Sequence, residues 1–300
     1  MRTTALLSGV ALALAGCIPA ALPQRSAGTP HYVVGHPYRI GGVWRYPRES
    51  FDDDETGLAT TDPRRDGLTA DGEAVDPQAM AASHPTLQLP AIVRVTNLDN
   101  GDRVLVRVND RGPANPGRVI ALTPRAMALL QPADPRALRV RVEVMPAESM
   151  QLAADLGGAE APHLELAMAP VGDVAAQPLP PPPGATQAQH VREVAAAPAP
   201  HSQAIDVPIV PLHLPETVTH VAARPGSLYV EVASFGHADD AALLQRRLAS
   251  IGAEVVLDYN APRDAAYRVR VGPLAGAAGA DAALARVIAA GLGDARIVVR

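Results

Sequence analysis

Between Met150 and Pro225 the chain carries no Phe, Trp or Tyr, and Pro180 to Pro183 form an unbroken proline run within an alanine-rich, weakly acidic stretch. A segment of that composition cannot bury enough apolar area to offset the entropy of ordering it. Residues 147–225 therefore read as a disordered Pro/Ala-rich linker, able to span on the order of tens of ångströms. Whatever the chain folds into must be built as separate units on either side. Five of the nine histidines (His163, His190, His201, His213, His220) fall here at irregular spacings. They lack the spacing of metal ligands and read as solvated linker residues.

Several function classes drop out on composition. All 26 basic residues are arginine, which excludes lysine Schiff-base chemistry and a Walker phosphate loop. The formal net charge is −5 with no arginine-rich run, so a nucleic-acid backbone is not the expected partner. The single cysteine, Cys17, permits no disulfide within the chain and no CxxC metal site. No metal or cofactor is expected.

The position of Cys17 is informative. Arg2 is followed by an apolar run, Ala5 to Ala15, too short to span a bilayer, as in a secretory signal over residues 1–16. Leu14-Ala15-Gly16-Cys17 resembles the bacterial lipobox, in which a peptidase cuts before a cysteine that is then acylated. The bland alternative is an ordinary signal with a chance cysteine. On the lipobox reading the mature chain begins at Cys17, lies outside the cytoplasm and is held stably by its acyl chains. Ile18 in the next position fits outer-membrane sorting. Residues 17–56 form an N-terminal connector, with Tyr32, Tyr38, Trp44 and Tyr46 ahead of the acidic run Asp52 to Glu55. These aromatics are expected to dock on the first folded unit, sugar stacking being the alternative.

Residues 57–146 read as mostly strand. Val93 and Val95 alternate with Arg94 and Thr96, and Val104, Val106 and Val108 alternate with Leu105, Arg107 and Asn109, the period-two pattern of strands with unlike faces. Asn97 to Gly101 lies between them and ends in Asn-Gly, a strong hairpin signal. Arg118 to Leu122 is a further short strand. Thr123 and Pro124 are cap and first residue of a small helix through Leu130, and Leu138 to Met145 is a closing strand. Several strands with one short helix suggest a small barrel.

Thr69-Ala70-Asp71-Gly72-Glu73, Ala81-Ala82-Ser83-His84, Val93 to Gly101 and Val106-Arg107-Val108-Asn109-Asp110-Arg111-Gly112-Pro113 resemble, in order, the motif series of the rare lipoprotein A family. The resemblance implies a double-psi β-barrel that acts as a lytic transglycosylase on peptidoglycan glycan strands. Breaking a glycosidic bond passes through an oxocarbenium-like state and needs an acid to protonate the leaving oxygen. A lytic transglycosylase lets the C6 hydroxyl of the muramic sugar attack, giving an anhydro end, so one proton-shuttling group suffices.

By position in the family's motifs, Asp110 is expected as general acid then base, Glu73 as partner carboxylate or alternate acid, and His84 as the group that orients or tunes them. Asn109 and Arg111 are substrate-binding candidates. The bland alternatives are a turn aspartate paired to Arg111, a solvated glutamate and a hydrogen-bonded barrel histidine. Two departures stand out. The aromatic, glycine-containing stretch of the family is replaced by the shorter Ala59 to Gly67, and Ile-Asp-Leu-Ser appears as Ile120-Ala121-Leu122-Thr123, with alanine in place of the acid.

Residues 226–300 form the second unit. Leu228 to Ala233, Glu254 to Tyr259, Tyr267 to Val271 and Arg296 to Val299 read as strands, with helices over Asp240 to Ile251 and Ala280 to Ala290. The halves repeat, which predicts a four-stranded sheet with both helices on one face and the other face free. The segments around Val230-Glu231-Val232-Ala233-Ser234-Phe235 and Tyr267-Arg268-Val269-Arg270-Val271 resemble a SPOR domain, a module that binds septal peptidoglycan stripped of stem peptides. Glu231 stands where that family usually has glutamine. By position Glu231, Ser234, Phe235, Arg268 and Arg270 are glycan-binding candidates; alternatively Phe235 is core and the arginines are solvated. The sheet could resemble an RNA-binding module, but stacking aromatics are limited to Tyr229 and Tyr267.

The expected protein is multidomain, mainly β then α+β: a double-psi β-barrel, a disordered linker and a βαββαβ SPOR-like domain. Its expected function is that of an outer-membrane lipoprotein facing the periplasm that cleaves naked glycan strands endolytically at the division septum. The alternative is a noncatalytic glycan-binding tether or a lipoprotein that interacts with division-ring (divisome) proteins.

Overall fold

A computed structural model of the chain describes residues 28–157, 213–258 and 266–300. The signal segment, Cys17, the proline run and His163, His190 and His201 lie outside the described residues. In chain order the first unit comprises a small hairpin, β1 (Tyr38–Ile40) and β2 (Val43–Arg45), then β3 (Asp54–Thr61), β4 (Ala81–Ser83), β5 (Ala91–Asn97), β6 (Asp102–Asp110), β7 (Ile120–Leu122), α1 (Pro124–Leu129), β8 (Leu138–Val144) and α2 (Pro146–Asp155).

Antiparallel pairs β3–β8, β8–β5, β5–β6 and β4–β7 are joined by the parallel pairs β3–β7 and β4–β6. Because β4 pairs with both β7 and β6, the sheet closes on itself and leaves no open edge within the ring. This closed barrel is the double-psi architecture that the motifs implied. The period-two pattern built it as expected: Leu138, Val140, Val142 and Val144 of β8 point inward while Arg139, Arg141 and Glu143 are half-buried outside. Val93, Val95, Val104, Val106 and Val108 are essentially fully buried, each contributing about 1.5–3 kcal/mol. The β5–β6 hairpin pairs Thr96 with Arg103, and Thr123 caps α1 by accepting from the Ala126 N–H at 3.3 Å.

Three features differ from the reading of composition. First, the helix α2 occupies the start of the stretch expected to be linker. Its Ser149, Leu152 and Ala153 face inward, and the Ser149 hydroxyl accepts from Ile92 N at 3.0 Å and donates to Ile92 O at 3.1 Å. A short helix needs only one small apolar face to dock, and aromatic residues are not required for that. Second, the far end of the same stretch returns to the barrel: β9 (Thr219–His220) pairs with the start of β6. Third, the connector aromatics divide. Tyr38 donates to Pro85 O at 2.9 Å, whereas Trp44 and Tyr46 remain 54% and 58% exposed.

The second unit contains β10 (Leu228–Phe235), α3 (Ala238–Arg247), a 3₁₀ turn (Ala249–Ile251), β11 (Ala253–Asp258), β12 (Ala266–Leu274), α4 (Gly276–Ala289) and β13 (Arg296–Val299). The strands run in the order β11-β12-β10-β13, all antiparallel. Ala241, Leu244, Ala280, Leu284 and Val287 of the helices pack with Val230, Val269 and Val271 of the sheet. This is the expected twofold repeat. Helix α3 gives way after one 3₁₀ turn, where Gly252 takes a left-handed φ of 82°.

The two units touch. On β3, Leu58 points outward into the core of the second unit while Ala59 points into the barrel. The Thr56 hydroxyl accepts from Val299 N at 3.1 Å and donates to Val299 O at 2.8 Å. Arg118 forms two bonds to the Asp281 carboxylate, at 2.6 and 3.0 Å. Between them lies Gly57, where an added Cβ would come within 3.2 Å of Ile297 O and 3.0 Å of Val119. Glycine there lets the two backbones approach.

Candidate active site

The Thr69–Glu73 segment folds into a tight turn because Asp71 organises it from within. The Asp71 carboxylate accepts from the Thr69 hydroxyl at 2.5 Å and from Glu73 N at 3.1 Å, an Asx-type arrangement. Gly72 completes it at φ 92°, with Thr29 O 2.6 Å from where a Cβ would stand. The turn is stapled to the end of β6, since Ala70 N donates to Asp110 Oδ1 at 2.9 Å and Asp71 N to Asn109 O at 3.2 Å. Glu73 and Asp110 are thereby brought to neighbouring positions from segments far apart in sequence.

Beneath the turn lies Arg107, which is 2% exposed. Its Nη2 sits 2.5 Å from Glu73 Oε1 and 3.8 Å from Asp71 Oδ2. Asn109 Nδ2 donates to Glu73 Oε2 at 2.6 Å. Glu73, Arg107 and Asn109 also line a cavity of about 280 Å³, with Asp76 and Met80 on its wall and His213 at its rim. Burial, and then the negative charge of Glu73, push the Asp71 carboxyl up from 3.8 to about 6.

That displacement has a measurable sign. A carboxyl whose folded value is raised lends stability fully below about pH 4, and this is lost as the pH rises through about 6. Two units correspond to about 3 kcal/mol. Asp71→Asn should therefore gain about that much relative to the unsubstituted protein between pH 4 and pH 7. Urea unfolding of both proteins across that range checks it; a constant difference would contradict the raised value.

Asp110 is buried, and its Oδ1 also accepts from Arg111 N at 2.8 Å. Its Oδ2 is ion-paired with the guanidinium of Arg64. Arg64 belongs to the shortened Ala59 to Gly67 stretch, so the departure from the family pattern places a cation on the candidate acid. The Arg111 side chain instead donates to the carbonyls of Leu87 and Val34, the latter at 2.6 Å, and so ties the connector to the barrel.

His84 shares the neighbourhood through its backbone, its N–H donating to Asp110 O at 2.9 Å. Its ring is 1% exposed and faces away. Nδ1 accepts from Thr86 N and Leu87 N at 3.3 and 3.1 Å, and Nε2 meets Glu55 Oε1 at 2.8 Å. Burial pushes the Glu55 carboxyl up, but the His84 hydrogen bond and the His84, Arg296 and Arg48 charges outweigh it and hold the group below its ordinary value. Arg107, Arg64, Asp71 and Glu55 were given no role from sequence. Arg107 was detectable in principle, because it shares with Asn109 the same face of an alternating strand.

In the second unit Glu231 carries three arginines: Arg268 at 3.1 Å, Arg296 at 3.1 Å and Arg300 at 3.2 Å. Burial raises its carboxyl, yet Arg296 and Arg268 together with the hydrogen bonds bring it below its ordinary value. Ser234 is exposed beside it, Phe235 packs against the core, and Arg270 lies 4.3 Å over the Tyr229 ring while bonding Glu254 at 2.7 Å. Among the described residues no cluster of His, Cys, Asp or Glu could hold a metal ion, and no helix is long and apolar enough to cross a membrane.

Comparison with known proteins agrees with this division. The lytic transglycolase family model matches residues 56–144 and the SPOR domain model residues 225–297. The chain is 33% identical over 269 residues to the endolytic peptidoglycan transglycosylase RlpA of Pseudomonas aeruginosa, covering 87% of this chain and 74% of that one. The protein of the same name from Yersinia pestis is 45% identical over 93 residues, covering 30% of this chain and 26% of its own length. That from Escherichia coli K12 is 33% identical over 138 residues, 45% of this chain and 37% of its own length.

Proposed function

The chain belongs to the RlpA family of endolytic peptidoglycan transglycosylases, and from that membership we propose that it cleaves naked glycan strands to anhydro-muramic ends at the division septum. The observation that carries this reading is that the turn bearing Glu73 is bonded through Ala70 N to Asp110 at the end of β6, beside a barrel cavity lined by Glu73 and Asn109. Both oxygens of Glu73 are occupied, by Arg107 and Asn109. That suits it to set negative charge beside an oxocarbenium-like centre rather than to shuttle the proton. Asp110 has one oxygen fixed by two backbone donors and the other held only by Arg64, a partly exposed side chain that can swing away.

In the cleavage, Asp110, which takes up a proton from solvent once Arg64 has swung away, gives that proton to the leaving glycosidic oxygen as the C1–O bond breaks. The C6 hydroxyl of the same muramic sugar then bonds to C1, and Asp110 takes back the hydroxyl proton. No water is consumed. His84 contributes by holding the 84–87 turn and the carbonyl of Asp110. The SPOR match supports delivery to denuded septal glycan, with Glu231, Ser234 and the arginines around them as the contact surface. The lipobox at Cys17 supports acylation and an outer-membrane site facing the periplasm.

Mass spectrometry of soluble products after incubating the lipid-free protein with denuded glycan strands tests the reaction. Anhydro-muramic ends are expected. Sedimentation with glycan but no released product would instead establish the tether, in which Ala121 and the Arg64–Asp110 pair mark a barrel that binds without cutting.

A further inference from the structure

The seam between the two units opens into a cleft of about 470 Å³, within the size range of small-ligand sites. Trp44 and Tyr46 of the connector, Glu55 and Thr86 of the barrel, and Asp294 and Arg296 of the second unit all line it. Trp44 and Tyr46 are the most exposed aromatic side chains among the described core and surface residues, at 54% and 58%. Leaving two neighbouring aromatic faces in water forgoes the burial that Tyr38, a few residues earlier, obtains against Pro85. Arg45, between them, also lines the cleft, and its Nε has no hydrogen-bond partner among the described residues. Buried bonds link the cleft wall to the candidate site: Arg296 lies 3.5 Å from Glu55, which bonds His84 at 2.8 Å, and His84 N bonds Asp110 O at 2.9 Å.

Flat aromatic faces and the unbonded Nε–H of Arg45 match the chemistry of a glycan that carries carboxylates, and the acidic side chains of the cleft match its hydroxyls. The apolar C–H face of a pyranose stacks on an aromatic ring, and its hydroxyls bond to carboxylates and carbonyls. A muramic sugar without its stem peptide bears a free lactyl carboxylate, for which arginine offers a fork of donors. We infer that this seam cleft is a second glycan-binding subsite, complete only when the two units are docked, that stacks sugar rings on Trp44 and Tyr46 and takes a lactyl carboxylate on Arg45. This rests on the proposed glycan substrate. Binding energy gathered there, away from the bond that breaks, would hold the strand across the barrel.

Trp44 is the only tryptophan in the chain, so its fluorescence reports on the cleft alone. The test uses the full lipid-free chain carrying Asp110→Asn, which removes the proton shuttle, titrated with denuded glycan oligosaccharides. A saturable change in Trp44 emission is expected. In the same background Tyr46→Ala should raise the midpoint about tenfold, as for loss of a stacking contact of about 1.4 kcal/mol. Arg45→Gln should weaken binding of muramic-containing strands while leaving that of oligomers of N-acetylglucosamine alone unchanged. Flat emission while the protein still sediments with glycan would overturn the subsite and leave the proposed activity standing. Equal losses for both oligosaccharides in Arg45→Gln would overturn the carboxylate assignment. Absence of anhydro ends from the unsubstituted protein tests the activity separately, whatever Trp44 reports.

Discussion

Asp110→Asn is expected to keep the barrel folded and to lower the rate of anhydro-end formation by about 10²–10⁴, the usual contribution of a positioned general acid–base group. The fold should survive because the amide oxygen can still accept from Ala70 N and Arg111 N, the two bonds that staple the turn to β6. What is lost is the proton and the anion that Arg64 faces. The measurement is the initial rate of product release by quantitative mass spectrometry, with thermal unfolding alongside. A variant that keeps its rate would remove Asp110 from the chemistry and leave Glu73 as the candidate acid.

Arg107→Met should have the largest effect on stability. The guanidinium is buried beneath Glu73 and Asp71 and forms the positive centre of that cluster. Replacing it with an apolar chain leaves two carboxylates facing each other with no compensating charge, which for a broken buried pair costs about 3–5 kcal/mol. Asp71→Asn introduced together with Arg107→Met should restore part of the loss, because it removes one of the two stranded charges. A double-mutant cycle read by urea unfolding at pH 7 measures that coupling. Strictly additive effects of the two substitutions would show that Arg107 supports the barrel by packing and not by charge.

Much of the architecture was legible because its signals are local. The alternation in β5, β6 and β8, the Asn-Gly hairpin and the Thr-Pro helix start each follow from residues within a few positions of one another, and the structure carries all of them. The positions of Glu73 and Asp110 were legible only through motif resemblance, since neither carboxylate is unusual by itself. Composition misjudged the linker ends, because α2 and β9 dock by a few small contacts that a count of aromatic residues does not register. It also gave Arg107 no role. In an alternating strand an arginine between valines reads as solvent-facing, and here the outer face of β6 is roofed by the Thr69–Glu73 turn.

By itself, then, the sequence determined two folded units, their secondary structure and the family to which their motifs belong, since periodicity, caps and turns are encoded in neighbours. The tertiary structure decided which charges meet. Arg64 lies on Asp110, Arg107 under Glu73 and Asp71, Arg118 on Asp281 at a separation of 163 residues, and Arg296 beside Glu55 at 241. With 26 arginines in the chain and 31 acidic residues to choose from, no local pattern specifies those partners. Barrel closure and the docking of β13 against β3 do, by bringing remote segments within hydrogen-bond reach and, around Arg107, excluding the water that would otherwise screen the charges.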